Sequence, residues 1–272
     1  MKPSQNPILS SLKESFKLIK KKKRYFSILL ITHVIFLLVI SLLLLNYSAN
    51  IGEEIEKMVE PLESLSNTTT VASAESYMAL EELESVETAY SNIVNYLIVF
   101  GLLLFLSYMI INGINWNIAN LIVNKSSSFK IYWLMFGISF LFFSFLGALL
   151  IGFFLRLSTY TGNNQLTAFI TTIFFIVITY LAYISFGLIR KYKPKKIKEF
   201  LKHTLKIAYK KPEILFFSYM IIFLAVLLSA AIVYRLLYAL MPFLILSIIF
   251  LILAMSWGKV FFLTAVKNSE KK

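Results

Sequence analysis

NYSANIGEEIEKMVEPLESLSNTTTVASAESYMALEELESVETAYSN, residues 46–92, is the only long stretch of this chain that is neither apolar nor basic. It carries ten of the fourteen acidic residues (Glu53, Glu54, Glu56, Glu60, Glu63, Glu75, Glu81, Glu82, Glu84, Glu87) and one base, Lys57. Apolar residues recur at Ile51, Ile55, Met58, Leu62 and Leu65, then at Ala79, Leu83, Val86, Tyr90, Ile93 and Leu97. These alternating steps of four and three are the spacing of a coiled-coil seam. The second run passes into an apolar segment without a break, so the pattern predicts an antiparallel helical hairpin over 47–92, tipped at Ser66–Ser73. Such a stalk continues two membrane helices into water. Its glutamates repel one another, and Pro61 removes a backbone hydrogen bond from its first helix. It is expected to firm up on a protein partner that docks through Glu81, Glu82 and Glu84.

Outward from the stalk, the chain is 58% hydrophobic with mean hydropathy +0.77, arranged in blocks of spanning length. These predict an all-α integral membrane protein with six transmembrane helices, at 26–46, 93–111, 131–155, 166–189, 214–233 and 242–262. Residues 156–165 and 234–241 are its short outer connections. The first block is too long for the core of a secretory signal and lacks a clean cleavage pattern, so it reads as a retained helix.

Two basic segments precede spans one and five. In residues 1–25, Leu9, Leu12, Phe16 and Ile19 form an apolar stripe, with Lys13, Lys17, Lys20 and Lys21 off it. Residues 190–213 repeat the design with Lys202, Lys206 and Lys210. Aligning Ile8–Lys22 on Ile197–Lys211 matches six residues, which suggests duplication. Both segments read as cytoplasmic amphipathic helices in the interface, with those seven lysines contacting anionic lipid headgroups. The net charge of +13 is accordingly assigned to a membrane surface rather than to nucleic acid. In the six-span arrangement only Lys57, Arg156 and Arg235 among the bases fall outside, which puts both termini in the cytoplasm of a cell membrane.

Residues 112–130 read as an amphipathic link along the inner interface rather than an Asn-lined polar path, and 263–272 as a cytoplasmic tail. Small residues at Gly137, Ser144, Ala148 and Gly152 predict close helix packing in span three; Ser218, Ala225, Ser229 and Ser247, Ala254, Gly258 predict it between spans five and six. Trp257 and Lys259 read as interfacial anchors.

Chemistry is sparse. There is no Cys or Asp, the spans hold no acid, and no nucleotide, zinc-protease or hydrolase motif occurs. No catalytic residue, cofactor or metal is therefore expected, and the chain does not read as an enzyme. His33, the lone titratable group expected well inside a span, reads as bonded to a neighbouring helix's carbonyl or hydroxyl, and His203 as solvated. Asn67-Thr68-Thr69 fits the glycosylation pattern. The sequence points first to a scaffold or assembly component of a membrane complex. The alternative is a permease-like subunit for a lipid or small solute; the helix-before-span arrangement is similar to that of permease subunits of some exporters.

Overall fold

The structure, a computed structural model, describes residues 6–67, 75–124, 129–161, 164–192, 196–237 and 241–270, leaving aside the side chains of 60–83, 161, 164 and 191. The described residues are helical: α1 (Pro7–Lys21), α2 (Lys23–Asn67), α3 (Glu75–Val123), α4 (Phe129–Thr161), α5 (Asn164–Leu188) followed by a 3-10 turn (Ile189–Lys191), α6 (Ile197–Lys210), α7 (Pro212–Arg235) and α8 (Met241–Glu270). Six of these helices are long and apolar enough to cross a membrane, so the chain is a multi-pass membrane protein. The 45 residues of α2 extend about 68 Å, and the hydrocarbon core is only about 30 Å thick. Such a helix spans with length to spare, and so does α3.

The chain divides into unit 1 (Met1–Val34 with Ile111–Lys272) and unit 2 (Ile35–Ile110). In unit 2, α2 and α3 run antiparallel. Phe36 meets Tyr108 at 5.7 Å, Tyr47 meets Tyr96 at 6.4 Å and Phe100 at 5.3 Å, and Glu54 accepts from Asn92 Nδ2 at 3.1 Å. Each advance along α2 is matched by a retreat along α3, a register that sets Met58 opposite Val86. The facing residues differ by one position from the expected seam at alternate steps. Glu54 (5% exposed) and Ala89 (2%) are buried where Ile55 (47%) and Tyr90 (60%) were expected. Glu54 tolerates burial because Lys57 Nζ donates to its other oxygen at 2.6 Å, and Ala89 lets the helices approach.

In unit 1, α1 begins at a capped proline, with Asn6 Oδ1 accepting from the Ile8 amide at 3.0 Å. Its fully buried residues are Ser11 and Ser15, and Asn268 of α8 bonds Ser11 at 3.2 Å. The corresponding face of α6, against α5, buries Phe200 and Thr204, which the alignment of Ile8 on Ile197 places opposite Ser11 and Ser15. Lys22 and Lys211, matched in the same alignment, share a role as well. Lys22 Nζ donates to the carbonyls of Leu121 and Asn124 at the end of α3, and Lys211 Nζ donates to the Ser269 carbonyl at the end of α8 at 2.6 Å. Each lysine caps a short helix and clamps the negative end of a long one.

α7 and α8 pair extensively. An added Cβ on Gly258 would stand 2.6 Å from Ile222 Cγ2, and Ser218 and Ser247 are buried, as the small-residue spacing predicts. The ridge on α4 differs: nothing lies within 4 Å of a Cβ added to Gly137 or Gly152. α4 instead holds α5 through Ser139 and Ser185, whose hydroxyls are 2.6 Å apart, and through Phe154 against Phe174 at 5.3 Å. Ile222 is β-branched and 3% exposed, so it yields little. Gly258→Ala is expected to destabilise the protein by about 1–3 kcal/mol, with most of the loss restored by Ile222→Ala, as read by thermal unfolding in detergent. For unit 2, Met58→Cys with Val86→Cys should form an intrachain disulfide on mild oxidation, detected by gel shift; Ile55→Cys with Val86→Cys should crosslink more slowly.

Candidate functional site

Residues 112–123 do not lie along an interface as expected; they are the closing turns of α3 and are enclosed by protein. Asn112, Asn115, Trp116, Asn117, Ile118, Ala119, Asn120, Ile122 and Val123 are all at most 8% exposed. Protein surrounds these turns because other helices of unit 1 contact them in turn. The Thr32 hydroxyl of α2 meets Asn115 Oδ1. The Trp116 ring stands edge-on to Tyr183 of α5 at 4.9 Å. Asn120 Nδ2 donates to the Tyr132 hydroxyl of α4 at 3.2 Å and towards the Phe186 carbonyl of α5 at 3.5 Å. A Cβ on Gly113 would meet the Phe136 ring at 3.0 Å. Asn112, Asn115 and Asn120 point at neighbouring helices and mark contacts rather than a wet face, while Asn117 Oδ1 and Trp116 Nε1 are buried without a hydrogen-bond partner among the described residues.

The strongest polar contact comes from α8. Lys259 is 5% exposed; its Nζ donates to Asn112 Oδ1 at 2.6 Å and lies 3.1 Å from His33 Nε2 and 5.8 Å from the Trp116 ring centroid. On the other side of the imidazole, Nδ1 is 2.8 Å from the Leu29 carbonyl and 3.1 Å from Ser256 Oγ. A carbonyl only accepts, so Nδ1 carries the proton and Nε2 presents its lone pair to Lys259. His33, 0% exposed, is thus fixed as the neutral tautomer that can accept from an ammonium. Burying a lysine at the centre of a membrane helix costs about 3 kcal/mol on insertion scales. A carbonyl oxygen, an imidazole nitrogen and an indole face offset that here. Among the described residues, no carboxylate lies within ion-pair distance of Lys259.

His33 does bond a hydroxyl of another helix, as expected, but its lysine partner was not foreseen. Lys259 is not an interfacial anchor, because α8 continues to Glu270 and Val260–Val266 are all buried. Nor is 263–270 a free tail. The available signal was the apolar run on both sides of Lys259, which extends to Lys267. His203 is tied rather than solvated, with Nδ1 2.6 Å from the Tyr192 hydroxyl.

Lys13, Lys17, Lys20 and Lys21 on α1, and Lys202, Lys206 and Lys210 on α6, are all exposed. On the apolar stripe of α1, Leu9 and Phe16 are 53% and 54% exposed, with Phe16 stacked 6.0 Å from Trp257. Glu84 is exposed. The side chains of Glu81 and Glu82, and the Asn67 glycosylation pattern, lie outside the described residues. No family model matches the chain, and neither a curated protein nor a solved structure matches it.

Stranding the ammonium tests the cluster. Asn112→Leu should cost about 1–3 kcal/mol by leaving Lys259 one acceptor short. Adding Lys259→Met, which removes the need for that acceptor, should restore most of the stability in a thermal unfolding cycle.

Proposed function

We propose that this chain is a non-enzymatic scaffold or assembly component of a membrane complex, held by anionic lipid at its cytoplasmic face and offering the acidic hairpin to a protein partner outside. The observation that supports it is the exposure of seven lysines, Lys13, Lys17, Lys20, Lys21, Lys202, Lys206 and Lys210. They stand on two short helices whose opposite faces are packed on α8 and α5. Cations held this way meet a lipid surface together, each contributing about 1 kcal/mol near anionic headgroups. The same charge distribution favours cytoplasmic termini in a cell membrane. The interior of unit 1 agrees with a structural role: Lys259, His33, Asn112, Asn120, Tyr132, Ser139 and Ser185 bond across helices, and Trp116, Phe136, Phe261 and Phe262 are fully buried beside them.

A second reading, a permease-like subunit for a lipid or small solute, draws on Lys259 and His33, since ionisable groups within spans often serve transport. Crosslinked purification followed by mass spectrometry separates the two. The scaffold reading expects a reproducible protein partner whose recovery falls when Glu81, Glu82 and Glu84 are changed to Gln, and anionic lipid whose recovery falls when the seven lysines are changed to Gln. Recovery of a nucleotide-binding ATPase as the main partner would favour the permease.

A further inference from the structure

The end of α3 collects more positive charge than its own carbonyls use. Lys22 reaches the carbonyls of Leu121 and Asn124, and Lys267 of α8 donates to the Val123 carbonyl at 3.2 Å. Asn120, one turn before the end, contacts the Phe186 carbonyl of α5 and the Tyr132 hydroxyl of α4. The 3-10 turn that follows α5 brings Arg190 to the same end, packed against α4. Burial, then Arg190, Lys21 and Lys267 in that order, hold the Lys22 ammonium below the ordinary lysine pKa. Lys22 lies outside the spans, and the carbonyls of Leu121, Val123 and Asn124 hold it and Lys267 at one helix end.

Little offsets them. A helix C-terminus supplies about half a negative charge. One carboxylate, Glu14, lies 3.7 Å from Lys267 and is shared with Asn268 Nδ2 at 2.8 Å. Arg190 is half-buried and makes no hydrogen bond or ion pair with a described residue. The surplus sits beside lipid-facing surface, since α2 begins at Lys23 and already exposes Ile28 and Ile31.

We propose that Arg190, Lys22 and Lys267 form a binding site for the phosphate group of an anionic membrane phospholipid. The guanidinium fork of Arg190 engages the phosphate oxygens, and the two lysines stand beside it as fixed charges. Arg190 suits the task because its planar donors match phosphate two at a time. Lys22 and Lys267 are held by backbone carbonyls, so little rotamer freedom is lost on binding. The site differs from the exposed lysines of α1 and α6, which attract any anionic surface. It rests on the reading that anionic lipid holds the protein, and it names where one lipid binds.

The test uses the full chain in nanodiscs of neutral lipid, titrated with phosphatidylglycerol, with retained lipids counted by native mass spectrometry. The wild type should retain one phosphatidylglycerol. Arg190→Gln should weaken that retention at least about tenfold, the loss of one charge-assisted hydrogen bond. Lys267→Gln should weaken it in the same direction, while Lys198→Gln, an exposed lysine of α6 outside the seven, should leave it in place. Matched elution and unfolding temperature would establish that the variants are folded. Wild-type retention in both Arg190→Gln and Lys267→Gln overturns the site. Equal weakening by Arg190→Gln and by Lys198→Gln also overturns it, and leaves only the diffuse attraction of the wider reading. Displacement of the lipid by millimolar inorganic phosphate would identify free phosphate as the occupant and overturn the lipid assignment. If the wild type prefers no anionic lipid at all, the wider reading fails as well.

Discussion

A polar group surrounded by hydrocarbon has to find its partner in the protein, because no water is present to supply one. Lys259 sets this demand most strongly. Its ammonium needs acceptors, and α2 and α3 deliver them as His33 Nε2 and Asn112 Oδ1. Within unit 1 the neighbouring contacts follow the same requirement: Thr32 with Asn115, Asn120 with Tyr132, and Ser139 with Ser185. In lipid, apolar side chains gain little by facing each other, so these bonds, close small-residue contacts and aromatic packing select which helices are neighbours.

The two lysine clamps meet a different demand at the edge of the spans. A helix that ends there leaves its last carbonyls without intrahelical donors. Lys22 and Lys211 fill that need from aligned positions of two short helices, and the faces buried around Ser11, Ser15 and Phe200, Thr204 align as well. Side chains of different chemistry thus occupy corresponding buried positions. The two short helices share the positions they bury and the lysine that ends them, while packing on different partners, α8 and α5.

How much was legible in the sequence depended on range. Apolar blocks of spanning length are a local property, and all six helices followed from them. The small-residue spacing of α7 and α8 was legible because both helices bring their own half of the contact; the equivalent ridge on α4 was misleading, because a small residue permits close approach without requiring it. Residues 112–123 were misjudged for a clear reason. Two-faced patterning implies an interface only if one face meets water, and here both meet protein. Lys259 was missed because proximity to Trp257 suggested an anchor, while its true partners lie far away in the chain. In the hairpin, periodicity gave the helices but not which of two adjacent residues faces inward, since Glu54 is buried only by virtue of Lys57 and Asn92.

The separation of those partners bears on how the protein is made. His33 leaves the ribosome 226 residues before Lys259, an interval of about 11–45 s at ordinary elongation rates. Lys22 waits a shorter time, 99 residues, for the Leu121 carbonyl. The α3 end can therefore be clamped while the second half is still being synthesised, whereas the imidazole spends that interval in the bilayer without its lysine. Until α8 is made, His33 Nε2 and Asn112 Oδ1 are without the ammonium that joins them in the folded protein, and completion of the last helix supplies it.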